Sequence, residues 1–66
     1  MIKTAIVDNG RYETFHVGMT TFGLKVISIE HRYPAGEGDQ GYTTVNFEDG
    51  TSREYFKTIE LDKAND

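Results

Sequence analysis

Two Asx-Gly dipeptides, each set between alternating apolar and polar runs, constrain the fold of this 66-residue chain more than any other feature. Asn9-Gly10 separates the run IKTAIV from RYETFHV, and Asp49-Gly50 separates YTTVNF from SREYF. Dipeptides of this kind favour tight turns with positive φ angles, and alternation favours strands that bury one face. The sequence therefore predicts two β-hairpins, with both residues of each dipeptide at positive φ.

Alternation also assigns side chains to faces, because successive residues of a strand point to opposite sides of the sheet. We expect the buried face to include Phe15, Phe47 and Phe56. We expect Tyr12 and Tyr55 on outward faces, where a tyrosine can keep its hydroxyl in water.

The middle of the chain predicts a longer strand, LKVISIEHRY, from Leu24 to Tyr33. Its alternation is broken, since Val26, Ile27 and Ile29 cannot all lie on one face. The sequence therefore predicts either a β-bulge or partial cover on both sides of the strand. Before this strand, the segment from Gly18 to Gly23 is predicted to be a loop.

Turn signals recur along the whole chain, and no stretch of ten or more residues has helical periodicity. Pro34 to Gly41, which holds three glycines and the only proline, predicts an exposed loop. The run from Lys57 to Leu61 predicts a turn and a short closing strand. These features indicate an all-β protein, a small SH3-like barrel of five or six short antiparallel strands. We expect one domain over residues 1–61 and a polar tail over residues 62–66.

A phenylalanine-glycine turn, a strand, a glycine-rich loop, a hairpin and a closing apolar residue follow one another between Val17 and Leu61. The residues that mark this order are Phe22, Gly23, Val26, Ile29, Val45, Phe47, Arg53 and Ile59. The layout resembles a small SH3-like barrel of the Tudor type, similar to the Tudor-like domain that ends repair helicases of superfamily one. The hairpin from Ile2 to Val17 and the acidic balance depart from that pattern. The resemblance implies an interaction module that attaches to proteins or to nucleic-acid machinery.

Charge and composition exclude several classes of function. The net charge is −4 with only 7 Lys and Arg residues, which argues against a broad basic surface for phosphates and favours basic partners. The chain has no cysteine and therefore no disulfide, thiolate nucleophile or cysteine-based zinc site. No apolar run is long enough to span a membrane. We expect a soluble cytoplasmic protein that does not bind membranes.

The residues that could carry chemistry are few. His16 and His31 are the only histidines, and neither belongs to a metal-binding motif. Ser28 and Ser52 lack the sequence context of an activated nucleophile. The sequence therefore predicts no catalytic residues, no metal and no cofactor, and we expect that the protein is not an enzyme.

The partner-binding surface is predicted around the Pro34–Gly41 loop, because glycine-rich loops held on a rigid scaffold commonly carry binding. Its acidic residues would steer a basic partner, and the flanking aromatic residues would supply contact area. The predicted residues are Phe22, Tyr33, Glu37, Asp39 and Tyr42. The competing interpretation is a linker between two tyrosines that cap the barrel.

The resulting functional hypothesis is a non-enzymatic protein-interaction module, such as a phage- or plasmid-encoded regulator or inhibitor that docks on a larger host protein. A partner within the nucleic-acid machinery fits the resemblance. One alternative is an SH3-like barrel that binds nucleic acid directly through tyrosines and arginines, against which the low basic content argues. Another is an oligomer that binds a small ligand such as a nucleotide. We also predict a homodimer, formed through an edge strand or an outer tyrosine face.

Overall fold

The computed structural model describes residues 2–32 and 41–63, and it folds them into antiparallel strands, which confirms the all-β prediction. Within those residues there is no helix, and hence none long and apolar enough to cross a membrane. The strands are β1 (Ile2–Asp8), β2 (Tyr12–His16), β3 (Thr20–Thr21), β4 (Leu24–Arg32), β5 (Tyr42–Phe47), β6 (Ser52–Tyr55) and β7 (Thr58–Lys63).

The seven strands form one open sheet with the order β2-β1-β4-β5-β6. β3 pairs with the start of β4, and β7 pairs with β1. Across the described residues, no backbone pairing closes the sheet into a barrel. Seven strands exceed the five or six predicted, partly because Thr20 and Thr21 form β3 inside the segment predicted as a loop. β7 extends to Lys63, two residues into the predicted tail.

The two predicted hairpins are present, but their turns differ from the prediction. Gly10 and Gly50 have φ angles of 87° and 90°, as predicted, whereas Asn9 and Asp49 do not have positive φ. In the second hairpin the Gly50 N–H donates to the Phe47 carbonyl at 3.1 Å, and the Phe47 N–H donates to the Thr51 carbonyl at 2.9 Å. The loop of the second hairpin is therefore Glu48-Asp49-Gly50, which ends in a left-handed glycine, whereas the loop of the first is Asn9-Gly10-Arg11, with the left-handed glycine at its centre.

The longer turn reverses the predicted faces of β6. A two-residue loop would place Phe56 opposite Thr43, whereas the observed register places Tyr55 there. A register shift of one residue exchanges the two faces of a strand. Tyr55 is consequently buried at 6% exposure, and Phe56 is 71% exposed, so both predictions about these residues were wrong.

The predicted bulge in β4 is confirmed. The pairing between β4 and β5 shifts between Val26 and Ser28, which turns both Val26 and Ile29 into the core. Ile27 points outward and is 54% exposed. An extra residue in one strand resolves the broken alternation, because it lets residues three positions apart share a face.

The core draws on strands β1, β2, β4, β5 and β6. Its buried hydrophobic residues are Ala5, Val7, Phe15, Val26, Ile29, Val45, Phe47 and Tyr55. One polar residue, Thr43, is fully buried among them, and its Oγ1 lies 2.7 Å from Oγ1 of Thr58. This hydroxyl pair satisfies the buried polar group and ties β7 to β5.

Candidate functional site

The described residues do not bring the predicted site together. Tyr33, Glu37 and Asp39 lie outside the described residues. Phe22 packs against Phe47 at the end of β5, whereas Tyr42 is the first residue of that strand. Since a strand rises about 3.4 Å per residue, roughly 17 Å separates the two ends of β5.

Phe22 occupies an unusual backbone conformation. It forms the β3–β4 turn with Gly23, and the two residues have φ angles of 55° and 76°. Thr21 and Leu24 pair directly across this two-residue turn, and two central residues with positive φ are typical of a type I′ turn. A bulky side chain is strained at positive φ, and strain of this kind tends to occur at functional sites.

The Phe22 ring is held in a fixed position although it is 51% exposed. It meets the ring of Phe47 edge-on, with centroids 6.3 Å apart and planes at 78°. The guanidinium carbon of Arg53 lies over its other side, 3.9 Å from the ring centroid. The edge-on contact and the cation–π contact together fix an aromatic surface that remains open to solvent.

A cleft of about 460 Å³ opens beside this ring. One wall is the β3–β4 turn, and the other is the beginning of β2, where Tyr12 is 69% exposed. The residues that line it are Arg11, Tyr12, Glu13, Thr14, Phe15, Thr21 and Phe22. We call it the Tyr12–Phe22 cleft. It combines two exposed aromatic rings with charged groups of both signs.

Two polar atoms beside this cleft are buried without a hydrogen-bond partner among the described residues: Glu13 Oε2 and the Tyr55 hydroxyl. Burial raises the pKa of Tyr55; the Arg53 guanidinium opposes that rise, and the Glu13 carboxylate adds to it. The three side chains therefore lie near one another around the Phe15 ring, whose centroid is 5.1 Å from that of Tyr55. Unsatisfied buried polar atoms are costly and need a reason.

The Tyr42 end of the molecule also carries exposed aromatic surface. The Tyr42 and Phe56 rings pack with centroids 5.8 Å apart, and Phe56 is largely exposed. Tyr42 therefore remains a predicted binding residue, on a different side of the sheet from Phe22.

The histidines have structural hydrogen bonds. His16 is exposed, with its Nδ1 3.0 Å from Oγ1 of Thr4, and His31 is half-buried, with its Nδ1 3.4 Å from Oγ1 of Thr43. Among residues 2–32 and 41–63, no group of three or more His, Asp or Glu side chains could hold a metal ion. A second, smaller depression of about 310 Å³ lies over β1, β2 and β7 beside His16.

Sequence reasoning placed Phe22 at a binding surface and Tyr12 on an outward face, but it missed Glu13. The signal was present in YETFH, because alternation places Glu13 on the same face as the buried Phe15. A carboxylate at a core-facing position is uncommon unless it is paired. Comparison of the chain with protein-family models, with characterised proteins and with solved structures finds no match.

Proposed function

We propose that this protein is a non-enzymatic protein-interaction module and that its partner binds in the Tyr12–Phe22 cleft. We place the site here instead of at the loop-centred surface predicted from the sequence; of that surface's described residues, Phe22 lies at the cleft and Tyr42 does not. A regulator or inhibitor docking on a larger protein would use a surface of this kind.

The single observation that carries the proposal is the backbone conformation of Phe22. A left-handed residue costs roughly 1–2 kcal/mol for any side chain with a Cβ atom, and glycine would remove that cost. Here the strained position displays a half-exposed phenylalanine instead. Because the strain costs stability, a phenylalanine at this position indicates that its ring has a function.

The chemistry of the cleft suits a protein partner. Exposed aromatic residues give large contact area at small entropic cost, and Tyr and Arg are enriched among the residues that dominate binding energy. Tyr12 and Phe22 supply that area, and Arg11 and Arg53 stand at its border. Two arginines are too few to follow a nucleic-acid backbone, which supports a protein over DNA or RNA.

The scaffold we propose is an SH3-like barrel related to the Tudor type. Two contacts support a sheet that curves towards closure: the Thr43–Thr58 hydroxyl pair between β5 and β7, and the Asp8 N–H donating to the Lys57 carbonyl at 2.9 Å.

The test is site-specific photo-crosslinking followed by affinity measurement. A photoreactive phenylalanine analogue replaces Phe22 in one protein and Phe56 in the control, which is exposed and lies away from the cleft. A partner captured only from position 22 is purified, and its affinity for Tyr12→Ala, Phe22→Gly and Phe56→Ala is measured by calorimetry. We expect losses of about tenfold or more for the two cleft variants, the range of residues that dominate an interface.

The control variant decides between the two surfaces. If Phe56→Ala weakens binding while the cleft variants bind like the wild type, the partner meets the Tyr42 side, and our proposal is wrong. Circular dichroism of all variants shows whether each retains the sheet.

A further inference from the structure

Among the strands of the described residues, β2 has a neighbour on one side only, which is β1. The Asn9 N–H donates to the Arg11 carbonyl at 3.0 Å, and the Val17 N–H donates to the Lys3 carbonyl at 2.9 Å. Hydrogen-bonding direction alternates along an antiparallel strand, so the odd-numbered residues of β2 face β1. The backbone N–H and C=O groups of Tyr12 and Thr14 therefore point away from β1, and no described residue pairs with them.

This open edge is short and has a defined end. The His16 N–H donates to Met19 Sδ at 3.1 Å, and the His16 carbonyl accepts from the Met19 N–H at 3.1 Å. The chain thus closes the edge at His16 by itself and leaves Tyr12 and Thr14 available. An extended segment could form about four backbone hydrogen bonds with these two residues.

The Tyr12–Phe22 cleft follows the same edge. Five consecutive residues of the chain, from Arg11 to Phe15, line it. Since successive side chains of a strand point to opposite faces, a cleft over one face would touch only alternate residues. A cleft that touches all five runs along the edge, in the place that an added strand would occupy.

The charge of the buried groups indicates what that strand would carry. Glu13 lines the cleft, and its Oε2 is buried without a partner among the described residues. The Arg53 guanidinium lies over the Phe22 ring. A carboxylate withdrawn from water needs a donor, and a cationic one satisfies both its charge and its lone pairs.

We propose that β2 accepts an extended segment of a basic partner protein as an additional strand, and that a lysine or arginine of this segment binds Glu13. The proposal rests on the protein-interaction function given above and adds its mode and chemistry. The exposed ring of Phe22 borders the cleft and would contact the aliphatic part of that side chain. Main-chain pairing supplies affinity, and the pairing of that cation with Glu13 supplies specificity.

A second copy of this chain fits the edge less well. A symmetric antiparallel pairing that uses the backbone groups of both Tyr12 and Thr14 is centred on Glu13. It places the two Glu13 residues directly opposite each other, and like charges in that position destabilise a strand pair. A basic segment has no such conflict.

The probes are three capped heptapeptides of alternating threonine and valine. The first has lysine at its centre, the second has glutamate there, and the third is the lysine peptide with alternate backbone nitrogens methylated. Each is titrated to millimolar concentration into the ¹⁵N-labelled protein, and the amide signals are followed by NMR. We expect the lysine peptide to shift the Tyr12 and Thr14 amides and to protect them from hydrogen exchange. It should bind at least about fivefold tighter than the glutamate peptide, and the methylated peptide should not bind.

Two matched variants test the pocket. Glu13→Gln keeps the size of the side chain and should abolish the preference for lysine over glutamate. Glu54→Gln changes an exposed carboxylate on β6 outside the cleft and should retain it. If no peptide shifts the β2 amides, or if the lysine and glutamate peptides bind equally, the inference is wrong.

The outcomes also separate this inference from the proposed function. If Phe22→Gly abolishes binding of the natural partner but the β2 amides do not respond to any peptide, the cleft binds its partner without strand addition. Concentration-dependent shifts of the same amides without peptide, together with a dimer in sedimentation, would assign the edge to a second copy and overturn the proposal.

Discussion

Replacing Phe22 by alanine and by glycine should invert the usual stability order of these two residues. Both replacements remove the ring and its contacts with Phe47 and Arg53, so these losses cancel in the comparison. Alanine keeps a Cβ atom at a φ of 55°, whereas glycine has none. The difference between the two variants therefore isolates the backbone strain.

The magnitude follows from two opposing terms. Glycine relieves about 1–2 kcal/mol of left-handed strain. It also loses more conformational freedom on folding than alanine, which costs about 0.5–1 kcal/mol. Phe22→Gly should therefore be more stable than Phe22→Ala by roughly 0.5–1 kcal/mol.

Tyr12 provides the matched control, since it is also an exposed aromatic residue but lies in β2 with a negative φ. There Tyr12→Gly should be less stable than Tyr12→Ala by about 0.5–1 kcal/mol. Urea unfolding followed by circular dichroism measures the stability of all four variants. In a small domain the free energy of unfolding falls by about 1 kcal/mol per molar urea, so these differences shift the unfolding midpoint by about 0.5–1 M. If glycine is the less stable residue at both positions, Phe22 is not strained, and the observation that carries the proposed function is lost.

Three further predictions concern pH and packing. Hydrogen bonds from the Thr51 hydroxyl and N–H lower the pKa of Asp49. The contribution of Asp49 to stability is therefore present above the ordinary pKa of 3.8 and is lost as the pH falls below that value. Thr51→Val should raise the Asp49 pKa in an NMR titration. Burial raises the pKa of Tyr55 above 10.0, so stability should be retained below that pH and fall as the pH rises above it, and urea unfolding of Tyr55→Phe should lack this fall. A Cβ atom on Gly41 would lie 2.6 Å from the Arg32 carbonyl oxygen, whereas nothing lies within 4 Å of a Cβ atom at Gly50. Gly41→Ala should therefore destabilise the protein by at least about 1 kcal/mol more than Gly50→Ala in the same unfolding assay.

Each of these has an outcome that would contradict it. An unchanged Asp49 pKa in Thr51→Val would mean that the hydrogen bond from the Thr51 hydroxyl does not form in solution. Equal alkaline instability of Tyr55→Phe and the wild type would place the Tyr55 hydroxyl in solvent. Equal unfolding midpoints for Gly41→Ala and Gly50→Ala would mean that the backbone near Arg32 can move away from the added methyl group.

Strand positions could be predicted from the sequence because alternation and Asx-Gly turns are local signals. The bulge in β4 was predictable for the same reason, since Val26 and Ile29 had to share a face across an odd number of positions. The failure at Tyr55 and Phe56 has a single cause, the choice between a two-residue and a three-residue turn at Asp49-Gly50. Both turns are compatible with that dipeptide, and only the cross-strand pairing distinguishes them.

The candidate site was less predictable than the fold. Phe22 could be assigned to an exposed turn, but nothing in TTFGL requires a phenylalanine at positive φ. The cleft depends on the approach of β2 to the β3–β4 turn, which is a tertiary contact between separate hairpins. Only Glu13 gave a local signal, as a charged residue on the core-facing side of its strand.

The position of β1 has a kinetic consequence. β1 pairs along one side with β2, which follows it directly, and along the other with β7, from the far end of the described chain. Pairing β7 with β1 closes a loop that contains most of the chain, and contacts that form late in folding offset the entropy cost of this closure. The β4–β5–β6 meander requires the closure of shorter loops only. β7 should therefore dock after the folding transition state, so that Leu61→Ala speeds unfolding while Val45→Ala slows folding. Before β7 docks, the partly folded chain would therefore expose the edge of β1 with which β7 later pairs. Misassembly with another chain is most probable in this state.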